Sequence, residues 1–181
     1  PMNTLPKLTN WKPIVALLLL QLGFSGLVFP HFQQQIDAIA GEPLKVLDLR
    51  MQYSQADVMA LFQQMQPTGR AILTTVSGKI DMVYPLIYGL LLTLLLLRLA
   101  APLPKGYSRW LVLAPILAVG FDYVENSQIL RMLRVFPEIP GELVAFSSLM
   151  TSLKWLSLGL TGLLLLSLAG YRLATLRNPN P

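Results

Sequence analysis

Four long apolar runs constrain this chain more than any other feature. An α-helix needs about 20 apolar residues to cross the ~30 Å hydrocarbon layer of a bilayer. The first run extends from Pro13 to Pro30 (PIVALLLLQLGFSGLVFP) and the second from Ile80 to Ala101. The third extends from Trp110 to Gln128, and the fourth from Leu143 to Gly170. Only 13% of the 181 residues are charged, where a soluble domain carries about a quarter. The expected fold is therefore all-α: residues 1–181 form a single polytopic membrane domain, a bundle of four transmembrane helices. The third span is the most polar, because Asp122 and Glu125 lie inside it.

Charge gives the chain a direction. With the N-terminus in the cytoplasm, the cytoplasmic segments hold Lys7, Lys12, Arg98, Lys105, Arg109, Arg172 and Arg177, with no acid among them. The outer segments hold Lys45, Arg50, Arg70, Lys79, Arg131 and Arg134, balanced by Asp37, Glu42, Asp48, Asp57, Glu138 and Glu142. The positive-inside rule then puts both termini on the cytoplasmic side of a cytoplasmic-type membrane, such as a bacterial inner membrane. Trp11, Tyr107, Trp110 and Tyr171 fall near the cytoplasmic interface, as an aromatic belt requires. Lys7 and Lys12 before an apolar run, with Ala38-Ile39-Ala40 downstream, also have the form of a signal peptide. The length of the run and its distance from that tripeptide favour a retained span.

Composition removes several chemistries. The chain has no cysteine and one histidine, His31, so thiolate catalysis and Cys- or multi-His metal sites are not available to it. It has no HExxH, GxSxG, phosphate-binding loop or dinucleotide fingerprint, and neither a metal nor a cofactor is expected. The formal charge of +5 flanks the apolar runs instead of forming one basic face, which argues against nucleic acid. Membrane lipid is the expected partner, with room for a protein partner or a second copy of the chain.

The connection between the first two spans is too long for a plain loop. Ser54 can cap a helix, with Asp57 in its first turn. Val58, Leu61, Phe62 and Met65 then follow at helical spacing, which predicts an amphipathic helix over 54–66 ended by Pro67-Thr68-Gly69. It acts either as a packing helix or as a lid over a site. Residues Arg70 to Lys79 can extend the second span outward, and Pro85 and Pro115 should loosen their helices. Small-residue packing motifs are loose, as at Gly23–Gly26 and Ser157–Gly162.

Ionisable groups at membrane depth need partners or a water-filled cavity. In the second span Asp81, Tyr84 and Tyr88 share a helix face; in the third, Asp122, Glu125 and Asn126 do. Ser147, Thr151, Lys154 and Thr161 form a polar stripe on the fourth. Lys154 falls about 15 Å into its span and Asp122 about 18 Å into the third, so the ammonium and the acids can meet. Such a cluster either fixes the register of the bundle or serves as a site, where paired carboxylates share a proton or hold a hard cation. His31, at the outer end of the first span, reads as an interfacial histidine.

The segment DLRMQYSQADVMALFQQMQPTGRAILTTVSGKIDMVYPLIYGLLL, with FDYVEN downstream, resembles small bacterial four-helix integral membrane proteins of unassigned activity. Those combine an Asp-x-x-Tyr-Pro-Leu helix start with an Asp-x-x-Glu-Asn motif. The resemblance implies that Asp81, Tyr84, Pro85, Asp122, Glu125 and Asn126 belong to one shared feature, and nothing about chemistry. Three functions stay open: a non-catalytic membrane component or complex subunit, a protein that binds or moves a solute, proton or lipid through the outer polar cluster, and an intramembrane lipid-modifying enzyme using its carboxylates. No nucleophile adjoins the acids, so the expectation leans away from catalysis.

Overall fold

The computed structural model describes residues 10–101, 103 and 108–177, with backbone only at 108, 109, 176 and 177. Lys7, Lys105 and Tyr107 lie outside the described residues. The chain is helical and, among the described residues, has no strand. Two helices are long and apolar enough to cross a membrane: α1 (Trp11–Ala40) and the C-terminal helix, which qualifies over Gly141–Thr175. A third span arises if the bent pair Gln66–Ile80 and Tyr84–Leu99 is taken together.

α1 runs past its expected end. Pro30 lacks an N–H and its ring collides with a carbonyl one turn back. The chain absorbs this with a π-helical turn at Phe24–Val28, where the Phe29 N–H reaches Phe24 O. The helix then continues to Ala40 and stops at Gly41, whose φ of 79° suits glycine. His31 consequently sits within the helix, exposed and hydrogen-bonded to Gln35 at 2.8 Å.

α2 (Gln55–Gln64) starts on a capping box: Ser54 Oγ accepts from the Asp57 N–H, and Asp57 accepts from the Ser54 N–H at 2.7 Å. It ends at a tight corner, with Gln66 in the left-handed region at φ 55°, and α3 (Gln66–Ile80) begins at once. Pro67-Thr68-Gly69 therefore opens the next helix and does not end the previous one. Proline suits a first turn because no N–H is needed there. Arg70 donates to Phe62 O at 2.6 Å and covers the free end of α2.

α3 closes with a π turn at Val76–Ile80, and the chain bends by 43° into α4 (Tyr84–Leu99). Pro85 lies in the first turn of α4, so the break falls just ahead of it. The carbonyls freed by the break find partners on a neighbouring helix: Tyr123 donates to Met82 O at 2.9 Å and Asn126 to Asp81 O at 3.4 Å. A short turn, α5 (Ser108–Leu111), precedes α6 (Leu113–Val135), where Pro115 again occupies the first turn. α7 (Gly141–Arg177) completes the chain.

α6 and α7 form an antiparallel pair, and α4 packs against both and against α1. α4 and α6 approach closely at Gly89, where a Cβ would collide with Val119. The Gly23, Gly26, Gly159 and Gly162 positions instead face open space. At one end of the bundle a dense apolar core unites Ile36, Leu47, Val58, Leu61, Phe62, Met65, Ile129, Met132 and Val144. At the other, Leu96, Ala100 and Leu168 are buried, and Arg172 donates to the carbonyls of Arg98 and Leu99 that terminate α4. Between the ends the helices expose large apolar side chains outward, such as Leu19, Leu27, Leu90, Ile116, Leu163 and Leu166.

Candidate functional site

A cavity of about 630 Å³ opens between α1 and α7, over α4. Its walls are mainly apolar, with Phe29, Phe32, Leu73, Leu91, Leu92 and Leu158 among them. At its deep end stand Asp81, Asp122 and Lys154. The size is that of a small-molecule pocket.

Lys154 is the hinge of the polar cluster. Its ammonium lies 2.5 Å from Glu125 Oε2, 3.7 Å from Asp122 Oδ1 and 3.5 Å from Asp48 O. Lys154, Asp122 and Glu125 are 5%, 4% and 0% exposed, so each charge depends on its neighbours and not on solvent. On the side of the cluster away from the cavity, hydroxyl groups hold it in place. Glu125 Oε1 accepts from Thr151 at 2.7 Å, and Tyr53 donates to Ser147 at 2.7 Å beside it. Burial, with the nearby Glu125 charge adding to it, pushes the Tyr53 phenol up to about 12.

The other side faces the cavity. Asp122 accepts from Tyr88 at 2.8 Å and from Asn126 at 3.2 Å. Asp81 is 6% exposed and forms no ion pair with a described residue, and Asn126 is its hydrogen-bond neighbour. Tyr84 accepts from Gln21 Nε2 at 2.6 Å and meets the Phe29 ring edge-on at 4.8 Å. The Oε1 of Gln21 is buried without a hydrogen-bond partner, beside the cavity.

All seven residues expected to form a polar site thus occupy one region: Asp81, Tyr84, Tyr88, Asp122 and Lys154 line the cavity, while Glu125 and Asn126 support it from behind. The route differs from the expected shared face of one continuous helix. Asp81 precedes the break and Tyr84 follows it, so the bend and not the helical repeat brings them together. Val58, Leu61, Phe62 and Met65 are 0–2% exposed in the apolar core and none lines the cavity. The 3₁₀ turn Leu47–Leu49 reaches it instead: Asp48 and Leu49 line the wall, and Asp48 O accepts from Trp155 Nε1 at 3.0 Å.

Sequence reasoning did not single out Gln21, Ser25, Asp48, Tyr53 or Trp155. Gln21 carried a signal, since it interrupts the run LLLLQLGFS and a polar residue there needs a partner. Tyr53 sits in irregular backbone and Asp48 in a single 3₁₀ turn, where no periodicity marks an inward direction. Among the described residues no group of acids and histidine is arranged to hold a metal ion. Comparison with protein-family models, curated proteins and solved structures gives no match to this chain.

Proposed function

We propose that this chain is a non-catalytic integral membrane protein that takes an amphipathic small molecule or lipid from the bilayer into the cavity between α1 and α7. In this reading four segments cross a cytoplasmic-type membrane as a bundle: α1, the bent α3–α4 pair, α6 and α7. Both termini are cytoplasmic, and the end built around Phe62 faces outward. Trp11, Trp110 and Tyr171, all about half exposed or more, then lie at the inner interface together with Arg98 and Arg172. The outward-facing leucines of the long helices then meet lipid.

The observation that carries the binding role is the cavity itself: an apolar chamber of about 630 Å³ whose deep end holds Asp81, Asp122 and Lys154. A purely architectural cluster predicts a dry interior with every charge enclosed. Glu125 meets that description, but Asp81 does not. The chamber lies between two long helices, so a ligand can enter sideways from lipid without crossing the apolar core above it.

The test is retention of lipid. Purified in a mild detergent, the wild-type chain should carry extracted amphipath at about one per chain, read by mass spectrometry. Leu92→Trp fills the chamber and should lower that retention several-fold while leaving the fold intact. Equal retention by both chains would remove the cavity from the mechanism.

A further inference from the structure

The described lining of the cavity holds more acid than base. Asp48, Asp81 and Asp122 line it, against one ammonium, Lys154. That ammonium is already committed, lying 2.5 Å from Glu125, which is itself out of reach behind the wall. An anionic head entering here would find the one cation of the described lining taken and carboxylates around it. A cationic head would find Asp81, 94% buried by its 6% exposure and without an ionic partner among the described residues.

Two independent features point the same way. The buried Gln21 Oε1 is an acceptor without a donor, beside the same chamber, and an ammonium N–H supplies donors. Tyr84, Tyr88, Phe29 and Trp155 also line the chamber, and aromatic faces attract cations, most strongly where water is excluded. The acids are not arranged to hold a metal ion among the described residues, which favours an organic cation with an apolar body to fill the leucine-lined remainder.

We infer that the ligand of this cavity is a cationic amphiphile, an ammonium head on an apolar tail, with the head against Asp81 and Gln21. The inference rests on the cavity being a binding site and adds the class of its occupant.

The experiment uses the full chain in nanodiscs of phosphatidylcholine, with Trp11→Phe and Trp110→Phe so that Trp155 is the sole tryptophan. Hexadecylamine, hexadecanol and hexadecyl sulfate are titrated at neutral pH while Trp155 emission is followed. Hexadecylamine should bind about tenfold more tightly than hexadecanol, with hexadecyl sulfate weakest. Asp81→Asn should erase the advantage of the amine and leave hexadecanol unchanged. If that variant does not fold, the three-ligand ranking on the otherwise native chain decides alone. Equal affinities, or a preference for the sulfate, would overturn the cationic head while keeping the cavity as a site. Failure of all three to bind would overturn both.

Discussion

Glu125 and Asp81 are both buried carboxylates beside one lysine cluster, yet their surroundings differ. Glu125 is sealed among α6 and α7, with Lys154 at 2.5 Å and Thr151 at 2.7 Å. Asp81 sits where α3 breaks from α4, facing a chamber, with an amide for company and no ion pair among the described residues. A buried charge held by an ion pair and a hydrogen bond from a neighbouring helix keeps helices in register. One left open to a cavity offers its unmet interaction to whatever enters. The contrast separates the part of the cluster that builds the protein from the part that can bind.

The strongest challenge to that contrast is to break the sealed side. Glu125→Gln leaves the Lys154 ammonium without its nearest counter-charge and should cost about 3–5 kcal/mol, read by reversible unfolding in a bilayer mimetic. Combined with Lys154→Met, part of that loss should return, because the second change removes the stranded charge. Strictly additive losses would mean that the two groups are not coupled. Asp81→Asn has no ion pair to break, and its stability should stay within about 1 kcal/mol of wild type. A loss as large as that of Glu125→Gln would erase the distinction.

A smaller effect sharpens it further. Thr151→Val keeps the side-chain shape and removes the hydroxyl that donates to Glu125. A hydrogen bond to a charged group contributes about 1.5–3 kcal/mol, so the variant should fall between the two above. The bond is made across the α6–α7 contact, and its loss should show as faster hydrogen exchange in α7 near Ser147. A neutral outcome would assign the hold on Glu125 to Lys154 alone.

The sequence made the sealed side easier to foresee than the open one. Asp122, Glu125 and Asn126 lie on one uninterrupted helix, α6, so their spacing alone places them together opposite the stripe containing Thr151 and Lys154. Asp81, Tyr84 and Tyr88 reach one chamber through a π turn and a bend, and no fixed repeat encodes that geometry. The same limit governs the ends of helices. Pro30 reads as a stop, yet a π turn carries α1 ten residues beyond it; Pro67 reads as part of a stop and instead starts α3. Local rules for proline state where an N–H is dispensable. They do not state whether the chain ends a helix, bulges or begins the next one, because tertiary packing decides among these.

Tyr53 gives the smallest effect and links the sealed side to pH. Its phenol is 7% exposed, donates to Ser147 and lies 3.2 Å from the Thr151 hydroxyl. Burial raises its pKa from 10.0 to about 12, so the unfolded chain releases this proton before the folded one does. The stability that depends on the neutral phenol is whole below pH 10.0 and is lost as pH rises toward about 12. Tyr53→Phe should cost about 1 kcal/mol at neutral pH through the missing hydrogen bond. Above pH 10.0 the gap should narrow, because the phenylalanine chain has no proton to lose at that position. Unfolding curves of both chains at neutral and alkaline pH check this, and a gap that stays constant would mean that Tyr53 ionises no differently when folded.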